Sequence, residues 1–426
     1  MLRFSEDNQV LEEERPRAIL VGLALSEDIT YSMEELRGLA GAACVEVIGE
    51  TIQSLPRPNT ATLIGKGKVE EITELVDSME ADLVIFNDEL TGMQLRNLEE
   101  AFGVKVIDRT ILILDIFAAR AETAEGKLQV ELAQLAYRMP RLTGMGKALS
   151  RLGGGIGTRG PGEKKLETDR RHIERRMDDI RAELAKVKKN RRVQRSRRTR
   201  SGIPVVALVG YTNSGKSALM NRFLSQVDKE EKTVREKDML FATLDTQQRS
   251  IRPDANHEFI LVDTVGFVSR LPHSLVDAFK ATLEEVTEAD LLLHVVDASF
   301  QDNDMQIAVT NKVLGEIGAG GKEKVMVFNK IDIAPQMQVP SPGTTNCFVS
   351  ARTGEGMDEL LAVIIDRVFA TSVCSYLIPY DKGSVVAYLN EKARVLDTEY
   401  RAEGTFLKAE VSGEDQGRLK EYEVEE

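Results

Sequence analysis

The sequence predicts a multidomain α/β protein. Two stretches, from residue 17 to about 115 and from Val205 to about Phe369, alternate short apolar runs with helical patterns. This alternation is typical of parallel sheets built from βαβ units. A long helical region separates the two stretches, and a short segment of mixed pattern follows the second. A chain of 426 residues is long enough for about two to four domains, each with a core of its own.

Residues 1–115 are predicted to form an N-terminal α/β domain. Inside it, the glycine-rich and basic segment Leu63–Lys68 follows an apolar pair and opens a helix. Two interpretations of this segment stay open, a tight turn with solvated lysines or a site for an anion or an RNA phosphate. The apolar runs that we assign to strands are Ala18–Leu25, Ala43–Ile48, Leu83–Phe86 and Val104–Ile107.

Residues 116–200 are predicted to form a helical-hairpin linker with a glycine-rich loop, 151–162, at its tip. Helical patterns run from Ala121 to Leu142 and from about Glu163 to Arg198. The loop holds six glycines, two arginines and one proline, a composition that cannot form a core. We therefore expect a mobile tip that can press its backbone against a partner.

The second helix of this hairpin is basic, although the whole chain carries a net charge of −13. From Lys164 to Arg200 there are 16 basic and 6 acidic residues. Alternating charges in the first half suit a solvated helix with i,i+4 ion pairs. The second half, Lys186–Arg200, has no acidic residue, as expected of a segment that binds a phosphate backbone. The residues predicted to contact RNA are Arg151, Gly153, Gly154, Gly155, Arg159, Lys164, Lys165, Arg191 and Arg192.

Residues 201–370 are predicted to form a nucleotide-binding domain. The apolar run Pro204–Val209 leads into Gly210-Tyr211-Thr212-Asn213-Ser214-Gly215-Lys216-Ser217 and then into a helix, which is the context of a P-loop. The two glycines let successive backbone N–H groups point at a phosphate, and the helix adds its positive dipole end. Lys216 would reach the outer phosphates, and Ser217 would ligate Mg²⁺.

Two later segments fit the γ-phosphate side of such a site. The loop Phe241-Ala242-Thr243-Leu244-Asp245 could offer the Thr243 hydroxyl to Mg²⁺ while a γ-phosphate is present. The apolar strand Phe259–Val262 ends in Asp263-Thr264-Val265-Gly266. Asp263 would hold Mg²⁺, and the Gly266 N–H would contact the γ-phosphate. We predict Lys216, Thr243 and Gly266 as catalytic, and both loops as parts that hydrolysis releases.

Two further segments predict the base. In Asn329-Lys330-Ile331-Asp332, the Asp332 carboxylate can accept from N1–H and the exocyclic amine of guanine, whereas adenine offers no such pair of donors. The segment Ser350-Ala351-Arg352 would bring backbone N–H groups near the guanine O6. Found together and in this order, the motifs predict a GTPase.

These motifs resemble the Ras-like P-loop GTPase pattern. Arg151–Leu166 (RLGGGIGTRGPGEKKL) joined to that pattern resembles the HflX family, over about residues 15–425. The resemblance implies a translation-associated GTPase that binds the large ribosomal subunit and its rRNA, and that splits or recycles stalled ribosomes under stress. It also implies ATP binding with RNA remodelling by the N-terminal domain of some members, which would give Gly65–Lys68 a role. Asn213 matches the asparagine of GTPases that bind K⁺ beside the phosphates, the alternative being a hydrogen bond that stabilises the loop.

Phe267 departs from the Ras-like pattern, because many such GTPases carry a water-orienting Gln there. Intrinsic hydrolysis should therefore be slow, and the ribosome is the leading candidate to supply the missing group. Two other functions stay open: an ATP-driven RNA remodeller, and a non-switching rRNA-binding factor stabilised by GTP. Residues 371–426 are predicted to form a small C-terminal α+β domain that contacts a partner.

The composition indicates the cellular compartment in which the protein works. Cys44, Cys347 and Cys374 show neither metal spacing nor a disulfide framework, which fits a reducing cytoplasm. The acidic first eighteen residues do not resemble a targeting peptide, and no apolar run reaches the length of a membrane span. We expect a cytoplasmic monomer.

Overall fold

A computed structural model shows three sheets with helices packed against them. The contacts divide the chain into two compact units, Met1–Ile251 with Phe259–Gly354, and Arg252–Glu258 with Glu355–Glu426. The division into four domains stays a prediction. The residues that the structure describes are 15–142, 161–201, 203–227, 247–254, 257–270, 283, 285–300, 302–334, 345–369 and 371–424.

The first sheet is parallel, with the strand order β2-β1-β3-β4. Its central strands β1 and β3 are almost entirely buried, as expected of a sheet with helices on both faces. One face packs around Leu20, Leu36 and Phe117, and the other around Ile72 and Phe102. The elements are β1 Arg17–Ala24, α1 Thr30–Ala42, β2 Glu46–Ser54, α2 Lys66–Met79, β3 Leu83–Phe86, α3 Gly92–Phe102, β4 Lys105–Asp108 and α4 Arg109–Arg120.

A helical hairpin follows, as the sequence predicts. Its helices are α5 (Ala124–Leu142) and α6 (Pro161–Ser201), and Arg176 of α6 holds Glu131 of α5 through two hydrogen bonds of 2.7 Å. The glycine-rich tip, residues 151–162, lies outside the described residues apart from the backbone of the first residues of α6. The hairpin therefore joins the two α/β regions through one long helix.

The second sheet has the strand order β10-β9-β8-β5-β7-β6, parallel except for β6, which runs antiparallel to β7. The predicted nucleotide motifs follow the carboxyl ends of β5, β7, β9 and β10, so the fold brings them to one edge of the sheet. The elements are β5 Val205–Gly210, α7 Lys216–Val227, β6 Gln247–Ile251, β7 Phe259–Asp263, β8 Leu291–Asp297, α8 Asn303–Glu316, β9 Lys324–Asn329 and β10 Asn346–Phe348.

The second compact unit contains an antiparallel sheet with the strand order β12-β13-β11-β14. Tyr376, Leu389 and Leu407 lie in its core. The predicted α+β class is confirmed. The elements are α9 Met357–Val368, β11 Thr371–Ile378, α10 Gly383–Lys392, β12 Arg394–Arg401, β13 Gly404–Ser412, α11 Gly413–Leu419 and β14 Glu423–Val424. Among the described residues, no helix is both long and apolar enough to cross a bilayer.

Candidate functional site

The backbone of the P-loop adopts conformations that require its glycines. Gly210 has φ +149° and Gly215 has φ +90°, both in the region that favours glycine. A Cβ at Gly210 would collide with the carbonyl oxygen of Val295 on β8, and one at Gly215 would overlap the Asn329 amide. Glycine at these two positions lets the loop lie directly against the strands beside it.

Lys216 lies inside this loop. Its Nζ donates hydrogen bonds to the carbonyl oxygens of Gly210 (3.1 Å) and Tyr211 (2.8 Å), and the residue is only 6% exposed. Burial lowers the pKa of Lys216 to about 8, and the nearby Asp263 carboxylate opposes this shift. A cation that has lost most of its hydration is an effective partner for phosphate oxygens.

The two predicted Mg²⁺ ligands within the described residues lie together. The Ser217 hydroxyl donates to Asp263 Oδ2 over 2.6 Å, although the residues are 46 positions apart. A hydroxyl and a carboxylate are hard oxygen donors, and Mg²⁺ is usually bound by one or two such groups together with phosphate oxygens and water. This pair therefore fits Mg²⁺. The third predicted ligand, Thr243, lies outside the described residues with its neighbours Phe241, Ala242, Leu244 and Asp245.

The predicted base-binding residues also meet. The Asn329 amide donates to the Ser214 carbonyl (2.9 Å) and accepts from the Ala351 N–H (3.0 Å), so it ties the P-loop to the last base loop. Ser350 Oγ donates to Asp332 Oδ1 over 2.7 Å. The Ser350 hydroxyl thereby orients the Asp332 carboxylate.

The three remaining residues of these two base loops lie beside that pair. Lys330 has φ +68°, and its ammonium lies 2.7 Å from the Asp297 carboxylate. Ile331 lies with Asp332 in a short 3-10 turn. Arg352, 81% exposed at its side chain, lies 3.7 Å from Asp332.

One residue of the guanine side was missed from the sequence. Arg222 Nη2 donates to the Thr353 carbonyl over 2.6 Å, and its guanidinium packs so closely on Gly354, with φ +92°, that no Cβ fits there. This contact joins α7, which begins at the P-loop lysine, to the loop that follows Arg352. The sequence gives no signal for it, because the two partners lie 131 positions apart.

The segment after β7 rests directly on the P-loop. Phe267 N–H donates to the Gly210 carbonyl (3.1 Å), and Thr212 N–H donates to the Phe267 carbonyl (2.7 Å). A Cβ at Gly266 would lie 2.6 Å from Thr212 Cα and 3.0 Å from Lys216 Nζ. The phenyl ring of Phe267, 3% exposed, belongs to the hydrophobic core and supplies no polar group to the site.

Two other predicted residues of this segment have structural contacts. Thr264 Oγ1 donates to the Leu208 carbonyl over 2.6 Å, which fastens β7 to β5. Val265 is buried in the core of the N-terminal sheet. Asn213 is exposed, with φ +59°. These positions shape the loop, and the binding of K⁺ by Asn213 stays a prediction.

The fold and the site define a P-loop protein whose residues suit a guanine nucleotide and Mg²⁺. A family model described as "50S ribosome-binding GTPase" matches residues 205–330. The models "GTP-binding GTPase N-terminal" and "GTP-binding GTPase Middle Region" match residues 30–118 and 120–198.

Relatives of known name cover almost the whole chain. GTPase HflX of Caldanaerobacter subterraneus subsp. tengcongensis is 50% identical over 413 residues, which is 97% of this chain and 95% of the relative. GTPase HflX of Lacrimispora saccharolytica is 43% identical over 413 residues, 95% of each chain. This chain therefore belongs to the HflX family. A GTP-binding protein of Sulfolobus solfataricus, solved with GDP, is 25% identical over 83% of this chain and 99% of that one, with a TM-score of 0.43.

Membership of the family confirms the predictions of GTP binding and GTP hydrolysis, and GTPases of this kind generally use Mg²⁺. The predicted RNA contacts stay predictions. Arg151, Gly153, Gly154, Gly155 and Arg159 lie outside the described residues. Lys164, Lys165, Arg191 and Arg192 lie on α6, where the structure describes the backbone alone.

Proposed function

We propose that this GTPase binds the large ribosomal subunit in a nucleotide-dependent manner and separates the subunits of stalled ribosomes. The description of the matching family model supports the partner. The structural feature that supports the proposal is the basic helix α6. It is one continuous helix of 41 residues, about 60 Å long at 1.5 Å per residue.

Helix α6 is connected to the nucleotide site by a very short path. It ends at Ser201, and β5, the strand that leads into the P-loop, begins at Val205. Its acid-free half, Lys186–Arg200, is the half next to this connection. A contact between rRNA and this half would therefore act on the start of β5, the strand whose far end carries the loop that holds the phosphates. The state of the nucleotide would in turn affect that contact.

The chemistry of the site favours activation by a partner. Mg²⁺, bound through Ser217 and Asp263, would neutralise phosphate charge, and Lys216 would stabilise charge on the leaving group. Phe267 is buried in the core and cannot orient water. We expect GTP turnover to rise at least about tenfold when large subunits are added. Equal turnover with and without subunits would reject the switch and favour the non-switching rRNA-binding factor.

Sedimentation tests the partner and the splitting together. The protein is spun with purified large and small subunits, and separately with assembled ribosomes, under GDP, GTP and a non-hydrolysable GTP analogue. We expect it to sediment with the large subunit most strongly under the analogue, and assembled ribosomes to separate under GTP. Equal binding to the large subunit under all three nucleotides contradicts the proposal. So does binding that leaves the assembled ribosomes intact.

Matched charge variants test the role of the helix. Replacing Lys188 and Lys189 with Gln removes two charges from the acid-free half, whereas replacing Arg170 and Arg171 removes two from the half with alternating charges. Each lost phosphate contact lowers the dependence of log K on log salt by about 0.7 to 0.9. We expect a decrease of about 1.5 for the first pair and a clearly smaller one for the second. Equal decreases would contradict a specific role for the basic half.

A further inference from the structure

A buried ion pair lies at the carboxyl edge of the N-terminal sheet, outside the residues predicted to bind nucleotide. Glu35 of α1 and Arg109, the first residue of α4, are paired, with side chains only 2% and 3% exposed. Arg109 also donates to the Asn87 side chain (3.0 Å) and to the Ser32 carbonyl (3.3 Å). A pair this deeply buried is costly to form and needs further hydrogen bonds to satisfy it.

The further hydrogen bonds to the Glu35 carboxylate come from the GTPase part of the chain. The hydroxyls of Tyr211 and Ser269 both donate to the Glu35 carboxylate. The Ser269 N–H donates to the Tyr211 hydroxyl oxygen over 2.6 Å, and Arg109 donates to the Ser269 carbonyl over 3.2 Å. Next to it, Arg270 is paired with Asp88, which follows β3, at 2.9 Å.

This contact lies at the place in the N-terminal sheet where α/β folds usually bind ligands. The chain leaves β1 toward β2 on one side and returns to β3 on the other, so the crevice between the carboxyl ends of β1 and β3 is a topological switch point. Ligands of open α/β sheets usually bind at such a crevice. Here Asn87 and Asp88 mark the crevice, and the segment Ser269–Arg270 of the same chain binds there.

Both hydroxyls that reach Glu35 flank the phosphate side of the nucleotide site. Tyr211 is the second residue of the P-loop, and Ser269 follows Gly266 by three residues. Between them, Phe267 pairs with the P-loop backbone, and Gly266 lies against Lys216 Nζ. Since the Gly266 N–H is the group predicted to contact the γ-phosphate, GTP binding has to reposition Gly266, whereas GDP lacks that phosphate.

We propose that Glu35 is a positioning residue of the GTPase site: it holds Tyr211 and Ser269 so that Gly266 and Phe267 stay closed over the P-loop, and it thereby disfavours GTP relative to GDP. GDP lacks the γ-phosphate and can bind with the segment closed. GTP binding has to pull Ser269 away from Glu35. The burial and charge of this cluster also raise the pKa of Tyr211, which keeps its hydroxyl protonated as a donor.

Thermodynamic linkage fixes the direction in which a weaker contact at Glu35 changes the affinity for the γ-phosphate. If binding of the γ-phosphate weakens the contact between Ser269 and Glu35, weakening that contact must strengthen γ-phosphate binding by the same factor. A variant at Glu35 should therefore change the ratio of the two nucleotide affinities. A side chain that serves stability alone would change both affinities together or neither.

The test uses the full-length protein and needs no ribosome, so its outcome is independent of the proposed partner. The dissociation constants of GDP and of a non-hydrolysable GTP analogue are measured for wild type, Glu35→Gln and Ser269→Ala. For Glu35→Gln we expect the analogue to bind about tenfold more tightly and GDP to stay within twofold. Ser269→Ala removes one hydroxyl without leaving a buried charge, so about threefold is expected and folding is not at risk.

Asp115→Asn serves as the matched control. Asp115 is another buried carboxylate of the N-terminal sheet region, and the Gln134 amide lies 3.4 Å from it. Its variant should leave the ratio of affinities unchanged. The proposal is overturned if Ser269→Ala and Glu35→Gln both leave the ratio at the wild-type value, or if Asp115→Asn shifts it as much.

Amide hydrogen exchange gives a second measurement. In the wild type we expect helix α1, Thr30–Ala42, to exchange faster with the analogue than with GDP, since the analogue releases Glu35 from its partners. In Ser269→Ala this difference should shrink, while the P-loop helix stays protected by both nucleotides. The same difference in α1 in both proteins would contradict the role of Ser269.

Discussion

The two parallel sheets of this protein use the same edge for different occupants. At the carboxyl edge of the GTPase sheet, Lys216, Asp263 and Asp332 are held by neighbouring groups in positions that suit a small, highly charged ligand. At the same edge of the N-terminal sheet, Glu35 and Arg109 neutralise each other and bind the protein's own Ser269. The position of an edge in the fold therefore predicts that something binds there, and the balance of charge indicates what binds.

A second segment of the protein, the end of helix α5, also binds at the carboxyl edge of the N-terminal sheet. Asp108 accepts from Tyr137 of α5, and it also accepts from the Leu90 N–H at 3.1 Å. Arg141, next to the end of α5, stacks on the Tyr137 ring at 3.4 Å and donates to the Leu90 carbonyl at 3.1 Å. The last turn of α5 is thus fixed to the edge.

The largest effect is expected where the GTPase edge recognises the base. In Asp332→Asn, the new amide has one acceptor oxygen in place of two, so it cannot accept from both guanine donors. Its NH₂ group can donate to the oxygen that xanthine carries in place of the guanine amine. We expect GTP to bind about a hundredfold more weakly or worse, and xanthosine triphosphate to bind correspondingly better. Calorimetric titration with both nucleotides measures this. Equal losses for both would show that the residue supports the loop and does not select the base.

The next effect concerns the buried cation at the same edge. Lys216→Met should abolish measurable stabilisation by GTP, and yet it should stabilise the nucleotide-free protein by about 1 to 3 kcal/mol, because a buried charge is removed. The Gly210 and Tyr211 carbonyls keep other donors, the N–H groups of Phe267 and Ser214. Urea unfolding without nucleotide measures the difference, and a less stable variant would contradict the prediction.

The pH dependence of that difference has a defined sign. The pKa of Lys216 is about 8 in the folded protein and 10.5 as the ordinary value. Between these values the unfolded chain holds more protons, so the wild type gains stability as pH rises through this window. The variant lacks this gain. Its stability advantage should therefore shrink between pH 8 and 10, and an advantage that is constant over this range would rule out the lysine as its cause.

The sequence predicts the GTPase edge well, because its residues come in short motifs with fixed spacing. Asn329 and Asp332, for example, stand three positions apart at the end of one apolar strand. Glu35 and Ser269 lie 234 positions apart, and neither belongs to a motif. Contacts of this kind depend on how the two sheets pack, and a local pattern carries no information about that packing.

For the segment Leu63–Lys68, the sequence alone does not decide between two interpretations. The sequence leaves a tight turn and an anion site open, and the structure places Gln53 Oε1 on the Gly65 N–H at 2.8 Å. Lys68 contacts Thr51 at 3.2 Å and Glu71 at 2.7 Å. These internal partners favour the tight turn, with Lys68 paired and not solvated. ATP binding at this domain stays a prediction.

A pair of glycine variants tests the occupied N-terminal edge. Gly92 at the start of α3 touches the Arg141 backbone, where a Cβ would lie 2.7 Å from its carbonyl oxygen. Gly67 near the start of α2 has open space around its Cα. We expect Gly92→Ala to destabilise the protein by about 1 to 2 kcal/mol and Gly67→Ala to stabilise it by about 0.5 kcal/mol. Thermal unfolding compares them, and stabilisation by both variants would show that Arg141 moves away from Gly92 at little cost.

The smallest effect is expected at the guanine side of the GTPase edge. Arg222 holds the Thr353 carbonyl at 2.6 Å and fills the space beside Gly354. In Arg222→Lys the charge is kept but the planar fork is lost, so the loop that carries Ala351 should be held less firmly. We expect GDP and GTP to bind about threefold to fivefold more weakly, each by the same factor, because the loop contacts the base that both nucleotides share.

Ser225→Ala is the control for that variant. Ser225 lies on the same helix and donates to the Arg222 carbonyl at 2.8 Å without reaching the base loop. It should leave both affinities unchanged. A change in the ratio of GTP to GDP affinity in Arg222→Lys would mean that this arginine acts on the phosphate side. The guanine side and the Glu35 contact would then be coupled, and the separation of the GTPase edge into a base-reading part and a phosphate-sensing part would fail.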